Sequence, residues 1–281
     1  MKRKQIITLL IAALLLASGG SGGMLACSGI DDKSAQQGAG APSDSAGDCD
    51  AEADLGSATT SSVDYVAHDW SYESAPLYYT VRGKADTTPS IKTGKIETSS
   101  LDSLGRTGRV VAKLTYKMVA DSAGWRENMP KEADEISGWG KQYFVSVPLS
   151  NGKTYNGYAY NRSHLLADCL GGHAVKENLV TGTRMQNVGN NTQNEPGGMQ
   201  YTEQKALNYL RSHEKGWVYY KATPIYEGEE LLCRSVYVDI LSDDGSIDEH
   251  VEVYNAMLGC NIDYKNGALS GSSVKEEKAS R

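Results

Sequence analysis

The sequence predicts an α+β domain of roughly 200 residues with a mostly antiparallel sheet. Three observations support this class. Several stretches alternate apolar and polar residues, one later stretch has the periodicity of an amphipathic helix, and an irregular loop rich in Asn and Gln precedes that helix. Strands are predicted on both sides of the single helix and do not alternate regularly with helices, so the order favours antiparallel pairing.

The first strands are predicted before the irregular loop. Residues 109–119 (RVVAKLTYKMV) alternate apolar and polar side chains and are rich in β-branched residues, which is typical of a strand. Residues 143–160 predict a strand, a turn at Asn151-Gly152 and a second extended segment. These two regions therefore supply a strand and a hairpin.

The helix is predicted over residues 200–216. Ala206, Leu207 and Leu210 fall on one face, and Gly216 is a suitable stop. Three further strands are predicted after it, within residues 217–228, 231–245 and 250–258. They complete the predicted sheet.

The amino-terminal segment has the pattern of an export signal. Basic residues precede an apolar run from Ile6 to Ala17, which is too short for a membrane span of about 20 residues. Residues 1–27 are therefore predicted to be a signal peptide, and the protein is predicted to be extracellular or anchored at the cell surface. Cys27 resembles the lipidated cysteine of bacterial lipoproteins, with ordinary cleavage near Ala26 and an uncleaved anchor as alternatives.

Low-complexity sequence flanks the predicted domain. Residues 28–62 are mostly Ser, Ala, Gly and Asp, which cannot bury enough apolar surface to fold and predict a flexible tether. The tail from residue 270 to 281 is predicted to be disordered for the same reason. The folded domain is thus predicted to span residues 63–269 and to act as a monomer.

Cysteine and charge patterns narrow the functional class. Cys49, Cys169, Cys233 and Cys260 allow three disulfide pairings, of which Cys233–Cys260 is favoured because both lie in strand-like sequence. The absence of a C-x-x-C spacing argues against a zinc or redox centre. Residues 101–221 carry 15 basic and 11 acidic side chains, whereas the remainder carries 13 and 24. Either this stretch attracts a polyanion or the difference is compositional drift.

Residues 160–172 (YNRSHLLADCLGG) contain the first candidate catalytic residue. His164 follows Arg162 by two residues, which in an extended segment places both side chains on one face. Arg binds phosphate in a bidentate manner, and neutral imidazole accepts a proton near neutral pH. The alternative is that His164 is a structural or surface residue.

Two further candidates follow in the chain. Asn187, in the amide-rich stretch GTRMQNVGNN, offers a neutral oxygen ligand suited to Mg²⁺, which takes few protein ligands. Glu203 lies near the start of the predicted helix and can accept a hydrogen bond from water on the metal. The alternatives are a turn or capping role for Asn187 and a favourable helix-dipole interaction for Glu203.

In combination, these motifs resemble the DNA/RNA non-specific endonuclease family. The strings NRSHLLAD, ENLVTGTRMQNVGNN and GGMQYTEQKALNYL carry the resemblance, which extends from about Asp102 to about Gly267. It is strongest to secreted streptococcal DNases of the streptodornase type. The resemblance implies the ββα-metal nuclease fold, with a mostly antiparallel central sheet and flanking helices.

The resemblance also implies roles for individual residues. The family's Asp-Arg-Gly-His signature falls on residues 161–164, so His164 is expected to be the general base. Asn187 is expected to hold the metal, and Glu203 to orient water. Arg106, Arg162 and Arg184 are expected to contact the substrate. Asn161 and Ser163 replace the family's Asp and Gly, which puts in doubt a carboxylate role at position 161.

The expected activity is Mg²⁺-dependent hydrolysis of DNA, with Mn²⁺ as a substitute metal and RNA left open as a substrate. The alternatives are a catalytically silent surface protein that binds DNA on the same fold, and a structural lipoprotein whose amides cap loops. A cleavage assay with Mg²⁺ separates the first interpretation from the other two.

Overall fold

A computed structural model describes residues 65–122, 135–192 and 194–275. The predicted signal peptide, the tether, Cys27 and Cys49 lie outside the described residues. In chain order the elements are β1 (Tyr79–Gly83), β2 (Ile96–Thr98), β3 (Val110–Thr115), α1 (Tyr116–Asp121), β4 (Phe144–Pro148), β5 (Thr154–Tyr158), β6 (Tyr160–His164), β7 (Leu179–Thr183), α2 (Arg184–Val188), α3 (Gln200–Ser212), β8 (Trp217–Ile225), β9 (Ser235–Ser242), β10 (Asp248–Tyr254), β11 (Asn261–Asp263), β12 (Ala268–Ser270) and β13 (Val274–Lys275).

The largest sheet has six strands in the spatial order β1-β10-β9-β8-β3-β2, and every neighbouring pair is antiparallel. Three strands form a second sheet in the order β13-β4-β5, while β6 pairs with β7 and β11 with β12. The predicted α+β class and mostly antiparallel sheet are confirmed.

One face of the six-stranded sheet forms the main hydrophobic core. Tyr220 and Val238 project from the sheet, and Leu207 and Leu210 of α3 pack against them together with Leu166. All five are completely buried. Because Leu166 lies just after β6, this core fixes the segment that leaves His164 against α3.

The opposite face of the same sheet is polar and is covered by residues 65–89. Lys221 Nζ lies 2.8 Å from Asp86 and 3.1 Å from Asp239, and the Tyr65 hydroxyl donates to Asp239 at 2.9 Å. Asp239 is completely buried, so its charge depends on these partners. The start of the described chain is therefore an integral part of the domain.

A second core lies between the three-stranded sheet and the ββα region. Val145 and Val147 of β4 pack there with Tyr160 of β6 and Met185 of α2. This core fixes the amino-terminal end of β6 and the first turn of α2. Together the two cores hold both ends of the segment that carries His164.

The predicted elements agree with the structure except at certain boundaries. The turn at Asn151-Gly152 connects β4 and β5, and Gly152 has a φ of +79°. The strand predicted to continue to residue 119 ends at Thr115, because α1 begins there and buries Val119 in the main core. The disordered tail predicted from Ser270 is wrong for residues 270–275, since β13 pairs with β4.

The predicted Cys233–Cys260 disulfide is wrong. Both cysteines are free, because Cys233 is completely buried in the main core whereas Cys260 packs at the edge of the second core. Cys169 is disulfide-bonded instead. Within the described ranges, the helices are too short and too polar to traverse a lipid bilayer.

Candidate active site

The candidate site is built on a ββα unit formed by β6, β7 and α2. The register pairs Tyr160 with Thr183 and His164 with Leu179, and α2 begins at the residue after Thr183. The Thr183 hydroxyl accepts a hydrogen bond from the Gln186 backbone N–H at 2.9 Å and so caps the helix. The tight connection folds α2 back beside β6.

Burial alternates along β6. Asn161 and Ser163 are buried, whereas Arg162 and His164 are partly exposed. Because successive side chains of a strand point to opposite faces, Arg162 and His164 project from one face, and Asn161 and Ser163 from the other. The partly exposed face therefore carries a cation and an imidazole two residues apart.

The buried face of β6 contacts the candidate metal ligand directly. The Ser163 hydroxyl lies 3.2 Å from Oδ1 of Asn187 and donates a hydrogen bond to it. Asn187 is only 7% exposed, so its side chain is held in one orientation by its surroundings. Ser163 thus connects the signature segment on β6 to the side-chain amide of Asn187 on α2.

Glu203 approaches the same region from α3. The Met199 N–H donates to the Gln186 carbonyl at 2.8 Å, and the Glu203 N–H donates to the Met199 carbonyl at 3.2 Å. These bonds fasten the first turn of α3 to α2. The backbone of α3 near Glu203 is therefore anchored to the ββα unit.

The Glu203 carboxyl lies in an environment that opposes ionisation. Burial, together with the nearby Asp168 carboxylate, raises the pKa of Glu203 to about 8. Asp168 belongs to a short 3₁₀ turn, Asp168–Leu170, four residues after His164. Two carboxyl groups therefore converge here, and a nearby cation would favour the ionised form of Glu203.

The three arginines predicted to contact the substrate occupy different environments. The Arg162 guanidinium lies 4.2 Å from the centre of the Trp139 ring. Arg184 is 5% exposed and lies over the Tyr155 ring at 5.1 Å. This burial disfavours the predicted direct contact between Arg184 and nucleic acid.

Arg106 is held by partners within its own domain. Its Nε donates to Asp102 at 2.7 Å, and Nη1 donates to the Gly228 and Glu230 carbonyls at 2.8 and 3.1 Å. The guanidinium also lies 4.7 Å from the centre of the Tyr226 ring. These contacts indicate a structural role and argue against the predicted phosphate contact.

The ββα unit lies within a match to a known protein family. The family model for DNA/RNA non-specific endonucleases matches residues 86–244, which include β6, β7, α2 and α3. The chain belongs to this family. A curated relative, named deoxyribonuclease, from Streptococcus dysgalactiae subsp. equisimilis is 35% identical over 244 residues, covering 77% of this chain and 72% of the relative.

Solved nuclease structures agree with this assignment. The structure of Sda1 nuclease with a bound zinc ion is 39% identical and covers 72% of this chain and all of that chain, with a TM-score of 0.68. The structure of NucA from Streptococcus agalactiae with bound magnesium is 20% identical, covering 67% of this chain and 84% of that chain, with a TM-score of 0.51. The latter shows similarity of fold alone.

Two buried side-chain amides near the signature segment have unsatisfied polar atoms. Among the described residues, neither the Asn161 Nδ2 nor the side-chain amide of Gln186 has a hydrogen-bond partner. The Gln186 amide lies over Gly182, where an added Cβ would meet Oε1 at 2.1 Å. Gly182 is the register partner of Asn161 in β6.

Sequence reasoning also missed Asn178, which precedes β7. Its Oδ1 accepts from the Leu166 N–H at 2.9 Å, and its Nδ2 donates to the Leu166 and His173 carbonyls at 2.9 and 2.8 Å. Asn178 therefore fastens the chain that leaves His164. The sequence offers only a single Asn in the segment KENLV, and a lone Asn does not identify its partners.

The donor set fits a metal that needs few protein ligands. Across the described residues, no group of three or more His, Cys, Asp or Glu side chains is arranged to hold a metal ion. The oriented Oδ1 of Asn187 is a hard oxygen donor, and the buried carboxyl of Glu203 lies near that of Asp168. This combination suits Mg²⁺, which keeps several of its waters.

Proposed function

We propose that this protein is an exported, metal-dependent endonuclease that hydrolyses phosphodiester bonds of DNA without sequence specificity. The observation that carries the proposal is the ββα unit inside the family match, in which β6 carries Arg162 and His164 on its partly exposed face while Ser163, on the opposite face, contacts the candidate metal ligand Asn187. The curated relative named deoxyribonuclease favours DNA as the substrate, and RNA is tested beside it.

In the proposed mechanism, His164 is the general base. As a neutral imidazole it takes a proton from the attacking water, a step typically worth about 10²–10⁴-fold in rate. Arg162, on the same face of β6, donates hydrogen bonds to the phosphodiester and positions it for attack. The products carry 5′-phosphates, as the resemblance to the family implies.

The remaining residues prepare the site for a divalent cation. Asn187 would hold the ion through Oδ1, and Ser163 keeps that oxygen oriented. A bound Mg²⁺ supplies charge stabilisation at the scissile phosphate and Lewis-acid assistance to the leaving oxygen. Glu203, once ionised, accepts a hydrogen bond from water in the site. We leave Arg106 and Arg184 out of the proposed catalytic set because of their partners and burial.

Mg²⁺ is proposed as the working metal, with Mn²⁺ as a substitute. The relatives differ here, since Sda1 nuclease holds zinc and NucA holds magnesium. The direct test measures plasmid cleavage by the purified protein with Mg²⁺, Mn²⁺ or Zn²⁺ in turn, and with EDTA. Cleavage restored by Mg²⁺ supports the proposal. Binding without cleavage under every metal would favour the alternative of a silent DNA-binding protein.

The location proposed for the protein rests on its amino-terminal sequence. Export through residues 1–27 is followed either by release or by attachment through a lipid on Cys27, with the domain acting as a monomer. Labelled palmitate should enter the wild type and not Cys27→Ser. Equal labelling of the two proteins, or a mature amino terminus other than residue 27, would contradict lipid attachment.

A further inference from the structure

The second sheet carries an exposed pair of aromatic rings. Phe144 is the only Phe in the chain, and it is 42% exposed. Tyr158, its cross-strand partner on β5, is 52% exposed. Their ring centroids are 6.1 Å apart and the rings meet edge to face. The molecule therefore presents both rings to solvent and excludes them from its two cores.

Lysine side chains flank this aromatic pair. Lys275 of β13 lies opposite Phe144 in the strand register. Lys141 lies with its Nζ 5.2 Å from the centre of the Tyr143 ring. A shallow cavity of about 440 Å³ runs between Lys141, Phe144 and Lys275, and none of the residues that line it is acidic. We call Lys141, Phe144, Tyr158 and Lys275 the lysine–aromatic platform.

The platform is continuous with the candidate active site. Residues 139–144 run from Trp139, which lies under Arg162, to Phe144. The Ala159 N–H donates to the Tyr143 carbonyl at 2.9 Å. The connection between β5 and β6 therefore runs next to residues 139–144. Tyr158 is four residues from Arg162 in the sequence. At about 3.3 Å per residue for a fully extended chain, and with a bend at Ala159, the two residues lie at most about 13 Å apart, within the length of a few nucleotides.

We propose that the lysine–aromatic platform binds an unpaired stretch of the nucleic-acid strand that the active site cleaves. Bases stack on Phe144 and Tyr158, while Lys141 and Lys275 contact the backbone phosphates. Stacking on rings tolerates any base, because every base has a π-face, and interleaved cations follow the backbone. A duplex hides its base faces, so the platform distinguishes frayed or single strands from paired ones. This inference rests on the proposed nuclease function.

Removal of the rings tests the stacking contacts. The variant Phe144→Thr/Tyr158→Thr introduces β-branched residues, which suit strands, and removes both aromatic faces. Its affinity for a fluorescein-labelled thymidine 12-mer is measured by anisotropy in EDTA, so that the probe stays intact. At about 1–3 kcal/mol for each of the two stacked bases, we expect a loss of about thirtyfold or more. Affinity for a hairpin duplex should change less than about twofold. Leu104→Thr, at an exposed apolar residue outside the platform, is the matched control and should bind as wild type.

Removal of the charges tests the phosphate contacts. Each of Lys141→Gln and Lys275→Gln should reduce the slope of log affinity against log salt by about 0.7 for the single strand. Unchanged single-strand affinity in the Thr variant, with its unfolding transition intact, would overturn the proposal. An equal loss for single strand and duplex would overturn the stacking on unpaired bases.

The binding readout separates this inference from the proposed function. Anisotropy in EDTA requires no catalysis. Ring-dependent binding by a protein that never cleaves with any metal would support the platform and contradict the nuclease proposal. If the wild type cleaves DNA but the ring variant binds the single strand as tightly as wild type, the platform proposal is contradicted and the nuclease proposal stands.

Discussion

Replacing Glu203 by Gln should stabilise the metal-free protein at neutral pH while impairing its activity. Gln has nearly the same shape but no ionisable group, so the change removes the cost of keeping a carboxyl in a fully buried site. The pKa of Glu203 is about 8, against an ordinary value of 4.5. At about 1.36 kcal/mol per pKa unit, this difference corresponds to a cost of about 5 kcal/mol above pH 8 and about 3 kcal/mol at pH 7.

The direction of the pH dependence follows from which state releases its proton first. Below about pH 4.5, the Glu203 carboxyl is protonated in both the folded and the unfolded chain and contributes no difference in stability. Between pH 4.5 and about 8, the unfolded chain ionises while the folded protein keeps the proton, so the free energy of unfolding falls as the pH rises. Above about pH 8 both states are ionised and the cost stays constant.

Urea unfolding in EDTA at pH 5, 6, 7 and 8 measures this effect. The difference between Glu203→Gln and wild type should grow with pH across that window, in favour of the variant. Plasmid cleavage with Mg²⁺ should fall about 10- to 100-fold in the same variant, as for other groups that support a metal site. Free energies of unfolding that remain parallel from pH 5 to 8 would refute the assigned environment of Glu203.

Four further predictions follow from particular contacts. In a metal titration of plasmid cleavage, Asn187→Ala should require far more Mg²⁺ than wild type or be inactive. Full activity at low Mg²⁺ would show that Asn187 is not the metal ligand. Ser163→Ala should raise the Mg²⁺ concentration for half-maximal cleavage about tenfold, because the Asn187 oxygen loses its orienting donor. Arg106→Ala should lower the free energy of unfolding in urea by about 1–3 kcal/mol, because the variant loses hydrogen bonds to Asp102 and Gly228. Its DNA affinity, measured by anisotropy, should not change, and a loss of affinity would instead support a contact between Arg106 and phosphate. A chain that starts at residue 60 lacks Cys27 and Cys49, and because Cys233 and Cys260 are free, Cys169 loses its disulfide partner. Its Tm should therefore fall while plasmid cleavage by the folded protein is kept, and lost cleavage would contradict the assignment of the removed segment as a tether.

The local pattern of the sequence was sufficient to predict much of the fold. Alternation and β-branched residues predicted β3, and the Asn151-Gly152 pair predicted the turn between β4 and β5. The end of β3 could not be predicted, since residues 116–119 continue the alternation of a strand. The structure forms a helix there because Val119 is buried in the main core, a contact between distant parts of the chain.

The sequence predicted those features of the candidate site that depend on local spacing. It did not predict the role of a side chain whose partners lie far away in the chain. The spacing of Arg162 and His164 predicted a shared face on an extended segment. The role of Arg106 depends on the Gly228 and Glu230 carbonyls, more than a hundred residues away in the chain. The pairing of the cysteines failed for the same reason, because it depends on which segments the fold brings together.

The most direct test of the account is the cleavage rate of His164→Ala. If His164 is the general base, plasmid cleavage with Mg²⁺ should fall by about two to four orders of magnitude, while Tm and DNA affinity in EDTA change little. A structural His164 would instead lower Tm and lose activity only in proportion to unfolding. A folded His164→Ala protein that cleaves plasmid DNA at the wild-type rate would contradict the proposed mechanism.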